Sequence, residues 1–181
     1  SHRRQSFYNN LHFNYGGDLG LGVNPKLIER INKSDYLVLL GGRLSENPSQ
    51  GFSLLSIPEH DKKFVHIHPG PEEIGRIYKP HLGIACSPIS FVNALNNALK
   101  GLNVKPSSQN QVLANQAHEE YLEWGNMPLE APNSGVDLTT AFRNLRENLD
   151  AHTIITNGAG NYAVWGHRLF RFTNFGTQLA P

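Results

Sequence analysis

A chain with one cysteine cannot staple itself, and Cys86 is alone among 181 residues. That excludes a disulfide scaffold of the small secreted kind and suits a reducing compartment, so a cytoplasmic location is expected. Set in the apolar stretch "LGIACSP", Cys86 reads as a buried thiol rather than a reactive one. Long hydrophobic runs are also missing: nothing approaches the roughly 18 apolar residues that a bilayer span needs, so no membrane partner is expected. A surplus of either charge is absent as well. Lys and Arg number 16 against 15 Asp and Glu, a net charge of +1, which gives no field to draw in nucleic acid or an anionic surface. The nine His add positive charge only below about pH 6.5.

What is present is a folding composition, 39% hydrophobic and 17% charged, ample for a globular core. "VNPKLIERINKSD" starts a helix with Asn24 as N-cap and Pro25 at the first helical position. Leu27, Ile28 and Ile31 give it an apolar stripe. "YLVLL" (36–40) is a continuous apolar run of the type covered on both faces in a parallel sheet. "KFVHIH" (63–68) and "LGIACS" (82–87) are further strands. "GPEEIGRIY" (70–78) reads as a short helix with acidic residues in its first turn. "PISFVNALNNALKG" (88–101) is a helix opened by proline and stopped by glycine. Strands alternating with helices predict an α/β fold: a Rossmann-like, mostly parallel sheet with helices on both faces.

The texture then changes. Residues 102–135 are polar and rich in Pro, Ser and Asn, and read as a linker with a helical island near 115–125. A second α/β unit opens at 136 with helix "VDLTTAFRNLRENL", strand "HTIITN", the small-residue loop "GAGN" and a helix near 161–168. Residues 136–181 are too few for a core of their own, so the expectation is an incomplete second domain after a first domain over 1–101.

Several segments carry candidate chemistry. "GGDLGLG" (16–22) precedes a helix and suits either a phosphate cradle or a turn passing close to a neighbour. Gly42-Arg43 follows a strand end, where open α/β sheets bind ligands, and a forked guanidinium there suits a diphosphate; a surface arginine after a tight turn is the plainer reading. His66 and His68 share a strand face and, with His81, raise the thought of zinc, but no third ligand has recognised spacing, so packed or hydrogen-bonded imidazoles are expected. Glu72-Glu73 and Glu119-Glu120 read as solvated helix faces. The serines lack a nucleophile-elbow setting. Gly158-Ala159-Gly160 allows close backbone approach and leads into Asn161 and Tyr162 at a helix start, which suits an anion or a plain strand-to-helix turn.

Taken in order, the stretch from Ser1 through "GGDLGLGVNPKLIE", "YLVLLGGRL", "HIHPGPEEIGR" and "LGIACSPISFVNAL" resembles the central domain of thiamine-diphosphate-dependent enzymes of the acetolactate synthase type. "TNGAGNYAVWGHRLFRFTNFGTQLAP" resembles the opening of that family's C-terminal, diphosphate-binding domain. The resemblance implies that Ala159, Gly160, Asn161 and Tyr162 contact the diphosphate of thiamine diphosphate; Asn161-Tyr162 stand where acetolactate synthases usually have Gln-His. It implies a Mg²⁺ ion held by a Gly-Asp-Gly motif expected beyond Pro181, and an activating glutamate on a preceding domain. "GGDLG" is not that metal motif, because Leu19 follows Asp18. It implies FAD or ADP at Gly42 and Arg43 if the central domain is occupied, a 2-keto acid substrate, and a homo-oligomer, dimer or tetramer. The chain by itself is expected to be an inactive fragment. The rival reading is a non-catalytic FAD-, ADP- or NAD-binding or assembly module, related in fold to electron-transfer flavoprotein domains.

Overall fold

The computed structural model describes residues 3–127, 130 and 132–181. The chain divides into two compact units, Ser1–Leu27 with Ser108–Pro181, and Ile28–Ser107. The division departs from the expected boundaries in giving the first residues to the C-terminal unit. The reason is hydrogen bonding across the sequence. Gln178 Oε1 accepts the Gln5 amide at 2.6 Å, and Asn10 and Phe172 exchange two bonds of 2.9 Å, one through the Asn10 side chain.

The Ile28–Ser107 unit is built on a three-stranded parallel sheet, β1 (Tyr36–Leu40), β2 (Lys63–His68) and β3 (Leu82–Ala85), in that spatial order. Helix α2 (Pro88–Leu99) follows β3 and packs on β2. Ser87 caps it, its side chain accepting from Ser90 N. Phe64 and Ile67 of β2 are the best-buried apolar side chains of this unit, and Leu44, Leu54, Leu55 and Tyr78 are buried too.

Strand β1 is not covered on both faces. Tyr36, Val38 and Leu40 are exposed in alternation with half-buried Leu37 and Leu39, so one face of the strand is uncovered, and among the described residues β1 is an edge strand that pairs with β2 alone. The expected helix over 70–78 shrinks to a 3-10 turn at Pro71–Glu73, since Ile74 is extended and Gly75 takes φ +77°. Cys86 is half-buried rather than buried.

Helix α1 (Pro25–Lys33) spans the division between the units. Asn24 Oδ1 accepts the Lys26 amide at 3.0 Å, as the N-cap reading expects.

The other unit holds α3 (Ser108–Asn126), α4 (Leu138–Asn148), α5 (Ala163–Leu169) and two short parallel strands, β4 (Ile155–Thr156) and β5 (Gln178–Leu179). The region read as a linker contains α3, a 19-residue helix rather than an island of about half that length. Its polar sequence conceals how it is held. The Arg168 guanidinium lies 3.7 Å from the Trp124 ring centroid and that of Arg171 lies 4.5 Å from Tyr121, so cation–π stacking does work usually left to an aliphatic stripe. Pro128, Leu129 and Ala131 of the expected linker lie outside the described residues. Asp137 caps α4, accepting from Thr139 N at 2.9 Å.

Candidate functional site

Residues 157–162 carry the chain from β4 into α5. The first amides of that helix are engaged locally: Ala163, Val164 and Trp165 donate to the carbonyls of Gly160, Asn161 and Tyr162 at 3.0, 3.2 and 3.1 Å. Upstream, Asn157 N donates to Leu179 O at 3.2 Å and Gly158 N to the Tyr162 hydroxyl at 3.0 Å. Between these, the amides of Ala159, Gly160, Asn161 and Tyr162 have no hydrogen-bond partner among the described residues. Ala159, Asn161 and Tyr162 are exposed. Consecutive uncommitted amides at a strand-to-helix turn can converge on an anion.

The glycines here have a further reason to be glycine. A Cβ on Gly158 would sit 2.8 Å from the Tyr162 hydroxyl, and one on Gly160 would collide with the Tyr162 ring. Both positions make room for Tyr162 to fold back over the loop.

The two readings of "GGDLGLG" separate clearly. The Asp18 carboxylate points inward, accepting from Gln5 Nε2 at 2.5 Å and Gly20 N at 2.8 Å, and burial raises its pKa. Gly22, at φ +70°, passes so close to Val164 that a Cβ would lie 2.7 Å from Cγ1. An inward carboxylate repels phosphate, and the close pass accounts for the glycine. The turn reading holds.

In the Ile28–Ser107 unit, a cleft of about 270 Å³ opens beside the end of β1, lined by Arg43, Ser45, His66, Glu73, Arg76 and Tyr78 among others. Gly41 makes the turn at φ +69°, where a Cβ would lie 2.6 Å from Pro88 Cγ. The Gly42 carbonyl accepts from His66 Nε2 at 2.9 Å, which places that imidazole's proton on Nε2. Glu73 Oε1 stands 3.2 Å from Arg76 Nη1 and 3.7 Å from Arg43 Nη1. One carboxylate thus serves two guanidiniums, leaving a positive charge in excess. The Tyr78 hydroxyl is buried with no partner among the described residues. Glu73 is therefore no solvated helix face: its side chain is 15% exposed and braces the cleft. Sequence reading missed Glu73, Arg76 and Tyr78 because it placed them on a helix; Gly75, breaking that helix, was the available signal.

His66 and His68 share a face with ring centroids 6.0 Å apart. His66 is occupied by Gly42, and His68 Nδ1 accepts the Gly70 amide at 3.0 Å. Among the described residues no group of three or more His, Cys, Asp or Glu side chains could hold a metal ion, and no helix is long and apolar enough to cross a membrane.

A parallel three-stranded sheet flanked by α1 and α2 makes the Ile28–Ser107 unit an α/β, Rossmann-like domain. The chain belongs to the thiamine pyrophosphate enzymes: residues 1–95 match the model "Thiamine pyrophosphate enzyme, central domain". It is similar to acetolactate synthase 1, chloroplastic, of Oryza sativa subsp. japonica, 24% identical over 144 residues, and to acetolactate synthase 2, chloroplastic, of Brassica napus, 26% identical over 152 residues. Acetolactate synthase 1, chloroplastic, of Zea mays is 25% identical over 146 residues. Each match takes in 78% of this chain, and the chain spans 21 to 22% of the length of these relatives.

Proposed function

We propose that the chain forms part of a thiamine-diphosphate enzyme that makes or breaks a carbon–carbon bond beside the carbonyl of a 2-keto acid, with Ala159, Gly160, Asn161 and Tyr162 holding the diphosphate. The observation that carries this reading is the run of four amides at 159–162 left free between hydrogen-bonded neighbours. Those donors fit a diphosphate, and the exposed loop offers access. Bound with Mg²⁺, the coenzyme supplies a stabilised carbanion for carbonyl chemistry. The part left to these residues is to fix the phosphate end by backbone donors. The Tyr162 hydroxyl keeps the Gly158 amide tied meanwhile, which sets the loop's width. Supporting the substrate class are the acetolactate synthase relatives. A homo-oligomer, a cytoplasmic location and catalytic inactivity of these 181 residues alone belong to the same proposal. The last rests on the short share of the relatives' length and on the lack of a Gly-Asp-Gly run in the sequence.

The test is calorimetric titration with thiamine diphosphate and Mg²⁺, beside unphosphorylated thiamine. Saturable binding of the diphosphate form only, weakened about tenfold or more in Gly160→Val, is expected. Equal binding of thiamine, or no effect of Gly160→Val, overturns the assignment. Added pyruvate should give neither acetolactate nor CO₂; turnover by the chain overturns the inactivity.

A second reading, nucleotide binding in the central domain, is favoured by the Arg43–Glu73–Arg76 cleft with its unpartnered Tyr78 hydroxyl. At about 270 Å³ the cleft is smaller than most whole-ligand pockets, so it suits the diphosphate region of FAD or ADP with the rest of the nucleotide outside. ADP or FAD should raise the melting temperature of the wild type and not of Arg43→Gln. Equal shifts in both remove Gly42 and Arg43 from the site.

A further inference from the structure

Away from both sites, a cleft of about 380 Å³ opens in the unit containing α3, α4 and α5. Its wall is mostly apolar, with Leu122, Leu149 and Phe170 among the lining residues, yet two arginines, Arg146 and Arg171, also line it. Both guanidiniums are held in place by main-chain or amide oxygens. Arg146 Nη1 donates to Asn126 Oδ1 and to Leu169 O, each at 3.3 Å. Arg171 Nη1 donates to Arg168 O at 3.0 Å, and its Cζ lies 4.5 Å over the Tyr121 ring centroid. Neither makes an ion pair of 4.0 Å or less with an acid among the described residues. The acid at the rim, Asp150, turns its Oδ1 to the His152 amide at 2.7 Å.

We propose that this cleft binds a small organic carboxylate, its charge held by Arg146 and Arg171 and its carbon chain laid against Leu149 and Phe170. Two fixed cations in one partly dry cleft repel each other, and an anion between them removes that repulsion while using N–H groups the protein leaves over. The electrostatics agree: burial first, then Arg171, lowers the pKa of Arg146. The apolar wall sets the class, since inorganic phosphate gains nothing from Leu149 and Phe170 whereas a three- or four-carbon acid buries its chain there. The inference does not depend on the reading of residues 159–162.

The experiment is calorimetric titration of the full 181-residue chain with butanoate, with butan-1-ol and inorganic phosphate as comparisons. Butanoate should bind saturably, butan-1-ol should not, and phosphate should bind at least about tenfold more weakly. In Arg146→Gln, checked for folding by circular dichroism, butanoate affinity should fall about tenfold or more. Leu149→Glu, at a partly exposed position on the wall, should abolish it by replacing the apolar surface under the ligand's carbon chain with a carboxylate that competes for the same arginines, and it stands in if Arg146→Gln fails to fold. Absence of saturable butanoate binding, unchanged affinity in a folded variant, or phosphate binding as tight as butanoate overturns the proposal.

Discussion

Asn10 is fully enclosed and spends its whole side chain on the backbone. Its Nδ2 donates to Gln5 O at 3.0 Å and Tyr8 O at 2.9 Å, while Oδ1 accepts the Phe172 amide at 2.9 Å. Asn10→Ala strands a buried donor and two acceptors, and a loss of about 2–3 kcal/mol of stability is expected in urea unfolding. An unchanged midpoint would mean that water or a neighbour takes over those groups. Tyr15 and Tyr121 meet edge to face at 4.8 Å, and burial is the main cause holding both phenols protonated, Tyr121 up to about 12. The unfolded chain releases these protons near pH 10, so above that pH it binds fewer protons than the folded one. Stability is therefore intact below pH 10 and falls as pH climbs toward 12. Denaturation midpoints at pH 9 and pH 11 should differ, and Tyr121→Phe should narrow the difference without closing it, because Tyr15 remains.

At the scale of elements, α1 shows how an end can be finished by a residue far along the chain. Lys62 is buried, its side chain 3% exposed, and Nζ donates to Asn32 O and Ser34 O at 2.8 Å each. A cation here satisfies carbonyls that the helix end leaves over and meets the negative end of its dipole. Lys62→Met keeps the stem's packing but removes the charge, and about 2 kcal/mol of stability should go with it, measured as a lower urea midpoint. Helix α1 itself was readable, because Asn24, Pro25 and the Leu27–Ile31 spacing are local signals. Helix α3 was legible only over 115–125; its full length and its anchoring were not, since Arg168 and Arg171 arrive more than forty residues later in the sequence and its own Ser, Gln and Asn resemble a linker. Gly125 in α3 belongs to the same hidden arrangement: a Cβ there would strike the Arg171 guanidinium. Gly125→Ala should therefore displace Arg171 from Tyr121 and lower the melting temperature, although alanine is the better helix former; a rise would show that the stack contributes little.

For the molecule as a whole, the parallel pairing of the strands was legible in their apolar runs, and the turn at Gly41-Gly42 was legible in the glycines after the first strand; the strand order was not. The family was legible in the order of short motifs, none of which suffices alone. What stayed hidden was contact over long sequence separation. The first residues join the C-terminal unit through Gln5, Ser6 and Asn10, and no spacing rule announces such a pairing. Glu73 was misplaced for a related reason, because its partner Arg43 lies thirty positions earlier, across a loop and a strand.

The outer row of β1 carries a last consequence. Tyr36, Val38 and Leu40 sit at 55, 55 and 43% exposure on a strand that, among the described residues, hydrogen-bonds to a neighbour along one side only. Such a margin is a template on which another strand can add, and it carries none of the lysine or proline guards that soluble sheets place there. The chain's shelf life in concentrated solution should accordingly be set by growth of cross-β aggregates rather than by loss of the native fold. Val38→Lys should lengthen the lag before scattering rises while leaving the urea midpoint where it was.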